Sequence, residues 1–215
     1  MSLFKSLIRN HLYYVSHIFI VFSSPITNQK AGSKMLVTKI ETERLILREL
    51  VEDDASELFD IFSDHEVMKY WNTGPWVSIE EARTFIAKST LAMNSNTEVT
   101  LGIFLKSNGQ LLGKIMLFNH VKESRRAEIG FGVSRNFWGK GIVLEAGTAL
   151  IEHAFKTLNL RRIEAEIDPD NTSSGKVLER LGFIKEGFLR QRWEVNGVVS
   201  DSAIYGLLAK PLDSV

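Results

Sequence analysis

A strand that turns through a glycine-bearing loop straight into a long amphipathic helix limits what this chain can fold into more than any other stretch. It runs from Glu128 to Leu158, EIGFGVSRNFWGKGIVLEAGTALIEHAFKTL. In the strand half, Ile129, Phe131 and Val133 alternate with Glu128, Gly130, Gly132 and Ser134. One face is therefore apolar and belongs to a core, while the other carries so little bulk that a backbone or a ligand can lie close to it. In the helix half, Ile142, Val143, Ala146, Ala149, Leu150, Ala154 and Leu158 recur at three- and four-residue steps and form one apolar stripe. Between the halves, Gly139 and Gly141 flank Lys140. The first amide N–H groups of such a helix have no intrahelical partner, and with the positive end of the helix dipole they make an anion site. A plain tight turn would use the same two glycines. The stretch is no phosphate loop, since no Gly-Lys-Ser/Thr closes it, and no dinucleotide fingerprint, since Leu144 stands where the third glycine belongs.

The rest of the chain supplies strands and helices around this centre. Thr42 to Leu50 alternates as a strand, and Glu52-Asp53-Asp54 is an acidic first turn for a helix carrying Ala55, Leu58, Phe59, Ile61 and Phe62. Asp64 to Val77 reads as an aromatic loop, and Ser78 with Glu81 forms a capping box that opens a second helix. Hairpins are expected around Asn108-Gly109 and Asn196-Gly197. Arg161 to Ile167 alternates as a strand, and a short helix follows from about Thr172 until Gly182 stops it. The order β-α-α-β-β-β-α-β-α-β-β gives an α/β domain with a mixed sheet that is not doubly wound.

Composition narrows the function classes. Lysine plus arginine number 26 and aspartate plus glutamate 26 in 215 residues, so there is no general basic field for nucleic acid. The absence of cysteine removes disulfides, thiolate nucleophiles and cysteine-held metals, and fits a reducing, cytoplasmic setting. His65, His120 and His153 lack metal-ligand spacing, so no metal is expected. In residues 1–34, Lys5 and Arg9 precede an apolar run from Leu12 to Phe22 that is too short to span a bilayer, so no membrane partner is expected. A secretory signal is one reading. The one adopted is an N-terminal extension, foreign to the native protein or poorly ordered, ahead of a single domain over 35–215.

Five pieces together resemble a known family: TERLILREL, EIGFGV, WGKGIVLEA, DPDNTSSGKVLERLGF and the closing Asn-Gly-x3-Asp. The chain resembles the Gcn5-related N-acetyltransferases (GNAT), and within them the RimJ/RimL-like type that acts on ribosomal-protein N-termini. The likeness runs from about residue 36 to residue 210. It implies a mixed, largely antiparallel sheet of six or seven strands, about four helices and a splayed central strand pair. It also implies acetyl-coenzyme A as donor and a primary amine as acceptor, a ribosomal or other protein N-terminus first among them, with direct attack in a ternary complex. A small amine (polyamine, aminoglycoside or amino acid) and a coenzyme A-binding regulatory module are the alternatives, and the expected assembly is a monomer or homodimer.

The same resemblance assigns residues. The pantetheine arm would pair with the edge formed by Phe131, Gly132 and Val133, and the pyrophosphate would sit on the loop containing Asn136, Trp138, Gly139, Lys140 and Gly141. Asn171 would contact the pantetheine arm, and Ser174 would donate a hydrogen bond to the departing thiolate; capping the short helix is the plainer role for both. Three positions depart from the family: Asn136 replaces a glutamine or arginine, Leu178 a tyrosine, and Trp193 a glutamate. Glu194 is one residue out of register and cannot inherit that glutamate's role.

Acetyl transfer to an amine needs a neutral nucleophile, donors for the oxyanion and a protonated leaving group. An α-amine, with a pKa near ~8, asks less of a base than a lysine near ~10.4. Glu128, on the low-bulk face of the central strand, is the candidate base, directly or through a water; pairing with Arg125 or Arg126 is the alternative. An amide of Phe131 or Gly132 would serve the oxyanion. Glu145 is expected to stabilise the start of its helix, and Trp71 and Trp76 either line the acceptor site or pack in the core.

Overall fold

The computed structural model describes residues 39–210, so the expectations for residues 1–34 lie outside the described residues. The strands are β1 (Lys39–Glu41), β2 (Leu45–Arg48), β3 (Val99–Leu105), β4 (Leu111–Val121), β5 (Arg126–Val133), β6 (Arg162–Ile167), β7 (Ile184–Val195) and β8 (Val198–Leu208). The helices are α1 (Ala55–Phe62), α2 (His65–Met68), α3 (Ile79–Asn94), α4 (Ile142–Lys156) and α5 (Thr172–Arg180). One sheet runs in the order β1-β2-β3-β4-β5-β6-β8-β7. Only β5 and β6 run parallel; all other neighbours are antiparallel.

The described residues thus hold eight strands and five helices instead of six or seven and about four. The additions are β1, too short for alternation to reveal, and α2, inside the stretch expected as loop. Asp64 starts α2 by accepting from the Glu66 amide at 2.9 Å. The expected capping box of α3 forms, with Glu81 accepting from the Ser78 amide at 3.1 Å. Asn196 and Gly197 both take positive φ, 51° and 78°, as a two-residue hairpin turn requires.

Each sheet face has its own core. Ile129, Val133, Leu45, Leu47, Ile163 and Leu178 pack with Ala146 and Leu150 of α4. On the other face Leu58, Phe62, Ile86, Phe104 and Leu111 join α1 and α3 to the sheet. Burying both faces holds the strands in place while the middle of the sheet comes apart. β5 and β6 are in register only at Arg126/Arg162, Ala127/Ile163 and Glu128/Glu164. Beyond that, β5 follows β4 as far as Val133 opposite Gly113, and β6 follows β8 as far as Ile167 opposite Ala203. Among the described residues no helix is long and apolar enough to cross a membrane.

Candidate active site

Parity decides which backbone groups of β5 face the opening. The Ser134 amide donates to the Leu112 carbonyl and the Arg161 amide to the Arg125 carbonyl, both at 2.8 Å. Even-numbered residues of β5 therefore turn their N–H and C=O toward β4, and odd-numbered ones turn toward β6. Past Glu128 the open edge is Ile129, Phe131 and Val133. The Val133 carbonyl is taken by the Trp138 indole N–H at 2.9 Å. Gly132, expected on this edge, directs its amide to β4, which leaves Phe131 of the two residues considered for the oxyanion.

The low-bulk face of β5 is partly covered by protein. A Cβ on Gly132 would lie 2.8 Å from the Trp71 ring and 3.0 Å from Phe62, and one on Gly130 would lie 3.1 Å from Phe118. The glycines make room for aromatic side chains, and β5 stays open along its edge and at Glu128 and Gly130, which reach the cleft.

The loop after β5 has the expected form. Gly139 and Gly141 take φ of 72° and 75°, and Gly141 is the N-cap of α4. Trp138, Gly139, Lys140 and Gly141 are all exposed, as is Asn136, so the loop leading into α4 lies open to solvent, with the Trp138 amide taken by the Arg135 carbonyl at 3.1 Å. Lys140 lies over the Phe137 ring at 5.0 Å. Glu145 anchors this end of α4: it accepts from Thr42 Oγ1 at 2.5 Å, from the Arg44 amide at 2.8 Å and from Arg44 Nε at 2.6 Å. Burial works against the carboxylate, but these bonds hold its pKa below the usual range. Arg44 also donates to the Lys140 carbonyl at 3.1 Å, tying the β1–β2 turn to the loop.

Where β5 and β6 separate there is a cleft of about 840 Å³. Glu128, Phe131, Asn171 and Ser174 all line it; Gly132, Val133 and the 136–141 loop do not. Glu128 accepts from Asn119 Nδ2 at 3.0 Å. Neither arginine pairs with it, because Arg126 binds Glu164 at 2.6 Å and Arg125 binds Asn159 at 3.3 Å. Asn171 caps α5 by accepting from the Ser174 amide at 3.1 Å. Leu178, at the tyrosine position, is fully buried.

A carboxylate not singled out from the sequence stands on the opposite wall. Glu166 Oε1 accepts from Trp193 Nε1 at 2.6 Å, Ser202 Oγ at 2.7 Å and Arg192 Nε at 3.2 Å. The β7–β8 register slips between Leu189 and Trp193, and Gln191 there has φ of 51°. This bulge turns Trp193 into the cleft, whereas Glu194 is not among the lining residues. Trp71 lines the cleft and also packs on the core, while Trp76 belongs to the core only. The lining includes Glu66, Glu128, Glu166, Asp168 and Asp201 against Lys69 and Arg192, so the cleft is acidic.

Known proteins resemble this chain in sequence and in fold. Residues 44–184 match the acetyltransferase (GNAT) domain family. Over 170 residues the chain is 39% identical to the uncharacterized N-acetyltransferase p20 of Bacillus licheniformis, covering 79% of this chain and 95% of that protein. It is 27% identical over 178 residues to the ribosomal protein uS5-alanine N-acetyltransferase of Escherichia coli, covering 79% of this chain and 90% of that one. A crystal structure of a GNAT-family acetyltransferase from Bacillus anthracis superposes with a TM-score of 0.72 at 28% identity, over 79% of this chain and 98% of that one.

Proposed function

This chain belongs to the GNAT acetyltransferase family, and on that premise we propose that it transfers acetyl from acetyl-coenzyme A to a primary amine, with a protein N-terminal α-amine as acceptor. The observation that carries this reading is the separation of β5 from β6 beyond Glu128/Glu164, with Glu128 and Ser174 both on the resulting cleft. The Phe131 edge and the exposed 139–141 loop at the start of α4 suit a carrier that has amides along its arm and an anion at its end.

In this reading the amine nitrogen forms a bond to the thioester carbonyl, and the C–S bond breaks as the intermediate collapses. The proton lost by the amine passes toward Glu128, and the Ser174 hydroxyl donates to the departing sulfur. The Phe131 N–H faces the open edge and supplies a donor for the oxyanion. Binding both partners at once makes the attack effectively intramolecular.

The acidic lining favours an acceptor that arrives as a cation, which suits a protonated N-terminus and also a polyamine; the latter is the second reading. Thiol release from acetyl-coenzyme A, measured with N-terminal peptides, spermidine, an aminoglycoside and free amino acids, separates the readings. Turnover with peptides supports the proposal. Turnover with spermidine alone moves the assignment to small amines, and tight binding of acetyl-coenzyme A without release for any acceptor replaces it with a regulatory module.

A further inference from the structure

Lys114 is a charged side chain that none of this chemistry uses. It stands on β4 between Gly132 of β5 and Gly102 of β3, and only 4% of it is exposed. Four rings surround its ammonium, with centroids 3.6 Å (Phe85), 4.4 Å (Phe62), 5.0 Å (Trp71) and 5.5 Å (Trp76) from Nζ. Phe62 comes from α1, Phe85 from α3, and the two tryptophans from the segment that joins α2 to α3. Trp71 has two roles, since it closes the cap over Lys114 and forms part of the cleft wall.

No carboxylate balances this amine among the described residues. On α1, Glu57 accepts from the Leu111 amide at 2.8 Å and Asp60 is exposed. On α2 and the segment after it, His65 and Glu66 are exposed, and Lys69 lies over Tyr70. On α3, Glu81 caps its own helix, Glu80 pairs with Arg83, and Lys88 is exposed. β3 has no charged residue, and on β5 Glu128 is held by Asn119. Rings attract a cation, but they return less than the lost hydration unless a charge partner helps.

We propose that this aromatic cap is a proton-linked gate on the acceptor side of the cleft: segment 69–77 opens as Lys114 takes up a proton from solvent and closes as that proton leaves. The direction follows from linkage. Opening returns Lys114 to water, where it binds a proton as an ordinary lysine does, whereas in the closed cap burial pushes its pKa down to about 7. The form that binds the proton more tightly gains population as pH falls. The open-to-closed ratio therefore rises ~tenfold per pH unit on descending toward pH 7, and levels off below it. Assigning the segment to the acceptor rests on the transferase reading; the gate itself does not.

Hydrogen exchange of the full chain without substrates tests this, read by peptide mass from about pH 6 to about pH 9 and corrected for the intrinsic pH dependence of exchange. In the unsubstituted protein the protection of residues 69–77 should fall ~tenfold per unit from the alkaline end to about pH 7 and then flatten, while α4 stays constant. Lys114→Met keeps length and apolar contact without the proton, and its protection should not change with pH. A flat profile in the unsubstituted protein, or the same slope in Lys114→Met, overturns the gate. Should that variant not fold, a ¹³C titration of the lysine side chains in the unsubstituted protein decides: no lysine titrating near neutrality overturns it as well. Failure of acetyl transfer with every amine leaves these outcomes untouched and removes only the acceptor assignment.

Discussion

Ser174 and Glu128 differ in how far their polar atoms are already committed. The Ser174 amide is bound to Asn171 Oδ1, but its hydroxyl has no hydrogen bond among the described residues. Capping and donation therefore use different atoms, and Ser174→Ala removes only the second. We expect kcat to fall by ~100-fold, the scale of one proton donor, with the affinity for acetyl-coenzyme A unchanged by calorimetry; an unchanged kcat would leave Ser174 only the capping role of its amide. Glu128 keeps its carboxylate clear of both neighbouring arginines and bound to an amide. In Glu128→Gln the supply of neutral amine would depend on solution pH alone, so the pH–rate profile should move to higher pH, and an unmoved profile removes Glu128 as base. Glu128 was legible because it lies in a strand whose alternation is plain, whereas Ser174, in α5, was reached only through the family resemblance of the segment after β6. Glu166 was not legible, because Ser202 reaches it from a strand distant in sequence and Trp193 only through the bulge in β7, which no local pattern announces.

At the scale of elements, the strand–loop–helix unit was the most readable part of the chain, because its glycines, its alternation and its helical stripe all agree. What alternation could not show was the tie from the β1–β2 turn: Thr42 and Arg44 come from a connection distant in sequence and hold Glu145 and the Lys140 carbonyl. The same limit applied to Gly132 on β5, whose covering aromatics, Phe62 and Trp71, arrive from α1 and the α2–α3 segment. At Gly141 the constraint is conformational as well as spatial, since its φ is 75° and a Cβ would meet only the tip of Arg44, at 3.5 Å. Gly141→Ala must hold a left-handed conformation at a cost of ~1–2 kcal/mol or let the first turn of α4 shift. If the exposed amides there bind the carrier's phosphates, acetyl-coenzyme A affinity should drop about tenfold by calorimetry while α4 stays helical by circular dichroism. Unchanged affinity would move the phosphate site elsewhere.

For the molecule as a whole, the sheet, its order and its parted centre follow from patterns that can be counted along the chain, whereas the Lys114 cap follows from three elements closing over one strand. Its only mark in the sequence is a lysine in the apolar run of β4, LLGKIMLF, where alternation gives no reason for a cation. That lysine makes stability depend on pH. Its pKa lies about 7 in the folded protein against an ordinary 10.5. Between those values the unfolded chain holds a proton that the native one lacks, so unfolding takes up a proton and stability rises with pH. Below the lower value both states are protonated and this contribution stops changing. Within the window the gain is at most ~1.4 kcal/mol per pH unit. Other lysines add slopes of their own, so the quantity to measure is the difference in urea-unfolding free energy between the unsubstituted protein and Lys114→Met at several pH values. Lys114→Met should be the more stable near neutrality, since it buries no uncompensated charge, and its advantage should shrink steadily as pH rises. Parallel curves would mean that the folded protein leaves the Lys114 ammonium hydrated, and the cap would then have no charge to exclude.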